Sequence, residues 1–490
     1  MENSRLVRLL KRLRPGEMKR FMSFLESPYF NRNERILQLG ELLRDCYPLF
    51  QGELIRKSYL LKTLFGRVEA TDEAQFHNLN SQMLRLLEQF MGQQAFEQDS
   101  DTQTLYLLRS LANRDETDHF NRVYQKHKKT DYAATNINAY LSHYLIENQA
   151  VALFQRQRKR NLNQDIDQLL INLGEELDVY FLISRLKLAC EIQNRGNILQ
   201  SDVDQSRVVM LAQQLVRLTE LYPDVPMVAG YASIFQMLQG EAGETHFQNL
   251  VVLLEEKAAD IPANERKAMY TFAQNYCIRQ INQGKSVFLG KLFNLYQKLL
   301  EEGLLIESDG FLAHWNYKNI TTLGLRQEAF DWVEDFLEKY RSKLQPEIRE
   351  NAYNYNLASF YYETKDFTAA KRLIRQVEFT DVYYHLSAKS ILLKIYFEIE
   401  DEDALLYHIQ AFQVFLRRNK HISKSHYTIH HNLVRFAKQA ARLRGRRGFI
   451  SNEEFQRRSD ALTQKIRESE GVANARWLLR MIQQMNPVLA

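Results

Sequence analysis

Four histidines gather in one short stretch, His421, His426, His430 and His431. Two of them stand four residues apart, a spacing that sets two imidazoles on one helix face where they could share a metal ion. The stretch reads His-Tyr-Thr-Ile-His, without the glutamate that acts as general base on a zinc-protease helix, and no cysteine or carboxylate lies nearby to complete a tetrahedral set. The cluster is read as part of a positive face, and no metal ligand is assigned. Gly284-Lys285-Ser286 has the ending of a phosphate-binding loop, but the first glycine that such a loop needs would fall at Arg279. Without that cradle, backbone amides cannot converge on a phosphate, so this is a turn. The chain has no nucleophile elbow, no paired carboxylates in a glycine-rich loop and no cofactor fingerprint. The expectation is a protein that binds rather than catalyses, with no cofactor.

The segment around the histidines carries a second chemical signal. From Ala404 to Asn452 there is no Asp or Glu, while Arg417, Arg418, Lys420, Lys424, Arg435, Lys438, Arg442, Arg444, Arg446 and Arg447 supply ten cations. In a chain of formal net charge +5 this is a segregation of charge. Solubility accounts for a mixed surface but not for the missing acids, so the segment points to an acidic partner, nucleic acid or phosphate. Smaller basic groups at residues 126–129 and 156–160 are candidates to extend it.

Composition sets the frame. Hydrophobic residues make up 45% of the 490 positions, enough to bury a core. Gly (18) and Pro (8) are scarce, which disfavours all-β and loop-rich α/β folds because those depend on turn residues. Near the start, Arg5, Arg8, Lys11, Arg12 and Arg14 interrupt the leucines, so no signal-peptide core forms. The longest apolar runs, of about five residues, fall far below the ~20 needed to span a bilayer. Cys46, Cys190 and Cys277 lie far apart with no CxxC pair. Together these predict a cytoplasmic protein with buried reduced thiols and no membrane partner.

Periodicity predicts helices throughout. Leu6, Leu9, Leu10 and Leu13 follow the i, i+3, i+4, i+7 rule, and residues 17–26 form a second helix stopped by Ser27-Pro28. Asn31 or Asn33 caps the next, residues 59–65 give a short helix ended by Gly66, and Phe76 to Phe90 mark a long one. Residues 179–185 have local β-propensity, but the apolar set continues through Leu186, Leu188 and Ala189, so a buried helix is preferred. The opening Phe24-Leu25-Glu26-Ser27-Pro28-Tyr29-Phe30-Asn31, followed by the long helix, resembles the start of a group of uncharacterised helical proteins of Bacteroidota. Residues 92–104, polar and rich in Gln and Asp, read as a linker.

Further along, the chain repeats itself. Leu357, Ala358 and Tyr361 precede Lys365-Asp366-Phe367, then Ala370, Ile374 and Val377. Leu392, Leu393 and Tyr396 precede Glu400-Asp401, then Ala404, Ile409 and Phe412, with Tyr396 falling 35 residues after Tyr361. Looser versions surround Gly324 and Ala329, Gly284 and Leu289, and residues 231–254. The pattern resembles the tetratricopeptide repeat, with its period near 34, although here the interval drifts between 35 and 42. The expected architecture is all-α: an N-terminal helical domain over residues 1–95, irregular helical hairpins over 100–230, a degenerate solenoid of tetratricopeptide-like repeats over 231–416, and basic C-terminal helices over 417–490.

The resemblance implies a function and a face. In that family the inner surface of the first helices grips extended peptides, and the aligned helices put Lys318, Tyr355, Ser359, Tyr362 and Lys394 there. Two lysines among aromatic and hydroxyl groups suit a carboxylate-bearing peptide. The leading expectation is a scaffold or adaptor that binds a protein or peptide partner. The alternative is a nucleic-acid-binding regulator in which residues 59–65 and 72–91 pair as a helix-turn-helix-like element, with Gln75, Asn78, Gln82 and Arg85 outward.

Overall fold

The computed structural model describes residues 1–66, 70–129, 137–156, 163–199, 206–240, 242–377 and 382–485. Among them the protein is all-α, with twenty-three helices and no strand beyond two isolated bridges, Ile306 with Leu312 and Arg447 with Ile450. No helix among the described residues is long and apolar enough to cross a membrane. The chain divides into two compact units, one of Met1–Leu188, Ser206–Ala229 and Ala259–Pro262, the other of Ala189–Gln205, Gly230–Ala258 and Ala263–Ala490.

The first unit holds α1 (Arg5–Leu10), α2 (Pro15–Glu26), α3 (Glu34–Asp45), α4 (Lys57–Phe65), α5 (Ala70–Gln98), α6 (Ser100–Ala112), α7 (Thr117–Lys128), α8 (Ile137–Arg156), most of α9 (Asn163–Leu199) and α10 (Ser206–Leu218). Local chemistry places the early boundaries. Pro15 and Gly16 do not separate two helices but open the second, since proline at the first helical position gives up an amide that has no partner there anyway. Asn33 caps α3 by accepting from the Arg35 amide, and Gly66 ends α4 in the left-handed conformation. α1 to α5 enclose one apolar cluster running from Leu6 to Phe90, whereas α6, α7 and α8 share another around Phe120, Tyr124 and Ile146.

Two sequence expectations meet definite outcomes here. Residues 92–104 are helical except at Asp99, because Gln, Glu and Ala favour helix, and Asp99 caps α6 by accepting from the Thr102 amide. Residues 179–185 lie within α9, and Val179, Leu182, Ile183, Leu186 and Ala189 are its buried stripe.

The second unit contains most of α11 (Pro226–Gln239), then α12 (Gly243–Glu256), α13 (Ala263–Asn282), α14 (Phe288–Glu301), α15 (His314–Arg326), α16 (Phe330–Arg341), α17 (Arg349–Glu363), α18 (Phe367–Gln376), α19 (Val382–Glu398), α20 (Glu402–Arg418), α21 (Lys424–Arg444), α22 (Asn452–Arg467) and α23 (Ala475–Gln484). From α13 to α20 these helices pair as hairpins, and α15, α17, α19 and α21 each pack on the next of that set. Every one of these hairpins closes through a residue of positive φ, Gly284, Glu328, Lys365 or Glu400, which lets the chain turn back within three to five residues. At three of them the characteristic long bond is present: Lys285 to the Gln280 carbonyl at 3.0 Å, Ala329 to Gly324 at 3.0 Å, and Asp401 to Tyr396 at 3.2 Å. Asp366 and Asp401 then cap the returning helices through the Ala369 and Ala404 amides. Small residues let the paired helices approach: a Cβ on Gly324 would run into Val333 Cγ2. Ala358 and Ala370 are wholly buried in the cluster between α17, α18 and α19.

Candidate functional site

Three helices of the second unit turn the same face toward one cavity of about 300 Å³. α15 contributes Lys318, Thr322, Leu325 and Arg326, and α17 contributes Tyr355, Ser359, Tyr362 and Glu363, each position exactly matched 37 residues later. α19 adds Ser387, Ser390, Ile391 and Lys394; His430 of α21 and Asn474, at the start of α23, complete the lining. The i, i+4, i+7, i+8 spacing on α15 and α17 is one helix face seen twice. All five residues expected from the repeat pattern, Lys318, Tyr355, Ser359, Tyr362 and Lys394, thus border a single cavity.

Their states differ. Tyr355 and Tyr362 are buried, so they form the wall of the cavity rather than an open concave face. The physical reason is that each ring packs against the neighbouring helix: Tyr355 meets Tyr384 edge-on at 4.9 Å, and Tyr362 lies under Lys394. Ser359 gives its hydroxyl to the Tyr355 carbonyl at 3.0 Å.

The two lysines are held over aromatic rings. Lys318 Nζ donates to Ser387 Oγ at 3.0 Å and sits 4.7 Å from the ring centre of Tyr384 and 5.2 Å from that of Tyr355. Lys394 Nζ is 4.0 Å from the centre of the Tyr362 ring and 3.9 Å from Glu363 Oε1. Burial, countered in part by Glu363 and Glu398, brings the Lys394 ammonium down to about 8. Beneath it, the Tyr362 hydroxyl donates to Glu398, which also accepts from Trp477 Nε1 at 2.8 Å and pairs with Lys365 at 2.9 Å. Burial alone would raise the Glu398 carboxyl, but the bonds from Lys365, Tyr362 and Trp477 hold it below the usual carboxylate range.

Burial also keeps the His430 imidazole below its ordinary pKa, with Nδ1 2.8 Å from the His426 carbonyl. The His426 and His430 rings are stacked, 6.1 Å apart. Across the cavity, then, three cationic side chains and a row of hydroxyls face one carboxylate, Glu363. Such a lining suits an anionic group that can accept several hydrogen bonds. Spacing from Lys318 would have led to Thr322 and Arg326, and spacing back from Lys394 to Ser390 and Ser387, but His430 and Asn474 come from α21 and the start of α23, whose register no local pattern supplies.

The basic segment divides into two kinds of residue. Arg417, Arg418, Lys420, Lys424, Arg435, Arg442, Arg446 and Arg447 are exposed, and Lys438 is half-buried. Arg444 is not part of that surface. Its guanidinium donates to the Phe397 carbonyl at 2.7 Å and to Glu402 at 2.7 Å and lies over the Phe397 ring, because the turn before α20 brings acids from outside the acid-free stretch against it. Of the smaller basic groups, Arg158, Lys159 and Arg160 lie outside the described residues. The four residues of the helix-turn-helix reading are exposed on α5, but Gln75 accepts from Arg35 at 3.0 Å and Gln82 from Asn33 at 3.4 Å, so the start of α3 engages half of that face. All three cysteines are free and buried.

Set against models of known protein families, characterised proteins and solved structures, the chain matches none.

Proposed function

We propose that this protein is a non-catalytic scaffold or adaptor, and that its second unit takes the acidic end of a peptide or protein partner into the cavity between α15, α17 and α19. The observation that carries this reading is the convergence of Lys318 and Arg326 of α15 and Lys394 of α19 on one cavity. A free carboxylate presents four acceptor sites to such cations, and the Lys394 ammonium, at about 8, still carries its charge at neutral pH. The stacked hairpins supply the frame that the tetratricopeptide-like reading calls for, and extended peptides suit grooves lined by successive first helices.

Fluorescence polarisation with a panel of labelled peptides tests it. Peptides with acidic, free C-termini are expected to bind the full chain more tightly than the same peptides amidated. K318A together with R326A should weaken them about tenfold or more, in line with loss of charge-assisted bonds. Equal affinity for free and amidated forms, or no effect of the double variant, rules the reading out.

A further inference from the structure

Beside the cavity's helices lies a second feature with its own chemistry. α21 and α22 pack side by side and leave a groove of about 330 Å³ whose floor is Leu443, Ala461 and Leu462 and whose rims carry Arg442, Arg446, Arg458 and Lys465. Arg458 is held by Glu454 at 2.6 Å, whereas Arg442, Arg446 and Lys465 make no ion pair among the described residues. Lys438 and Arg435 continue the Arg442 face of α21 one and two turns toward its start, respectively. At the turn between the two helices stands Phe449, 86% exposed, two residues after Arg447, with its amide donating to the Arg446 carbonyl at 3.0 Å.

We propose that this groove binds single-stranded nucleic acid, with the phosphates on the rim cations and a base stacked on Phe449. Three points favour that occupant. The α21 wall carries no Asp or Glu, and on α22 Glu454 is already paired with Arg457 and Arg458, which leaves the other rim cations for phosphate. An exposed ring flanked by arginines offers a stacking platform that only unpaired bases can reach. An anionic membrane fits less well: the apolar residues of α21, from Leu433 through Leu443, are buried in the core cluster, which leaves no apolar helix face to insert. A duplex would use the cations but leave the ring without a partner.

Anisotropy of the full chain with a labelled 20-mer of dT or rU tests the proposal, run beside a duplex of equal length and vesicles containing anionic lipid. Binding to the single strand should weaken with salt at a log–log slope of about −2 to −4, since each neutralised phosphate contributes roughly 0.7. The F449A variant should lose about tenfold in affinity with that slope unchanged, because stacking is lost and charge is not. R442E with R446E should abolish binding, while K318A, in the cavity, should leave it untouched. No binding at about 50 mM salt, tighter binding to duplex or vesicles, or F449A indistinguishable from the parent would each overturn the proposal. Loss on K318A would instead assign the nucleic acid to the cavity and equally refute the groove.

Discussion

The ammonium of Lys394 stands 4.0 Å above the ring of Tyr362, whose hydroxyl donates to Glu398. One tyrosine thereby links the cavity to the packing beneath it: its face supports the buried charge and its edge anchors a carboxylate shared with Trp477 and Lys365.

Lys394 is predicted to cost stability. Its folded pKa of about 8 lies below the ordinary lysine value, so between those two pH values the unfolded chain holds more protons and this group makes stability rise with pH. Below about 8 the full cost is present. K394M, similar in volume and apolar, should therefore stabilise the protein at pH 7 by about 1–3 kcal/mol and flatten that rise. Thermal unfolding at pH 7 and pH 10 measures it, and a lower Tm at pH 7 contradicts the argument. In the parent, affinity for acidic peptides should drop several-fold from pH 7 to pH 9.

Glu398 gives the opposite sign. Its carboxyl is held below the usual range, so its contribution is full above its unfolded pKa and disappears as pH falls through the lower folded value. E398Q should destabilise by about 1–3 kcal/mol at neutral pH, and the gap to the parent should narrow at acid pH, below the ordinary carboxylate range. Urea titrations at both pH values read this; a gap independent of pH would show that the charge is irrelevant.

Helix approach at Gly324 sets a steric prediction. G324A places a methyl into Val333 Cγ2 and should cost about 1–3 kcal/mol, whereas G16A, with nothing within 4 Å of the new atom, should stay within about 0.5 kcal/mol of the parent. Equal midpoints for the two variants in chemical denaturation would mean that α15 and α16 are not packed as closely as their backbones suggest.

Arg444 and Arg442 separate structure from surface. R444A removes bonds to Glu402 and the Phe397 carbonyl from a side chain that is 13% exposed, and a loss of about 1–3 kcal/mol is expected. R442A should be stability-neutral within about 0.5 kcal/mol. Differential scanning calorimetry compares them, and a reversed order would restore Arg444 to the basic surface.

Much of the site could be read before any coordinates. Lys318, Tyr355, Ser359, Tyr362 and Lys394 follow from the resemblance to the tetratricopeptide repeat, which implies that its aligned first helices turn these positions to one face. His430 and Asn474 do not, since they join the cavity from α21 and α23, helices beyond the repeated hairpins. Tyr355 and Tyr362 were legible as neighbours of the lysines but not as buried rings, for burial depends on what the adjoining helix brings.

By its residues alone, the chain determines an all-α protein: leucine and aromatic periods of 3.6, few turn residues, a cap at Asn31 or Asn33, and an acid-free basic segment are local properties. Tertiary structure alone decides which cations remain available. Arg444 and Arg442 are two residues apart and chemically identical in sequence, yet one meets Glu402 and a backbone carbonyl while the other borders an open groove. A two-residue step turns a helical side chain by about 200°, so the packing of α21 against its neighbours, and not the composition of the segment, assigns each charge its role.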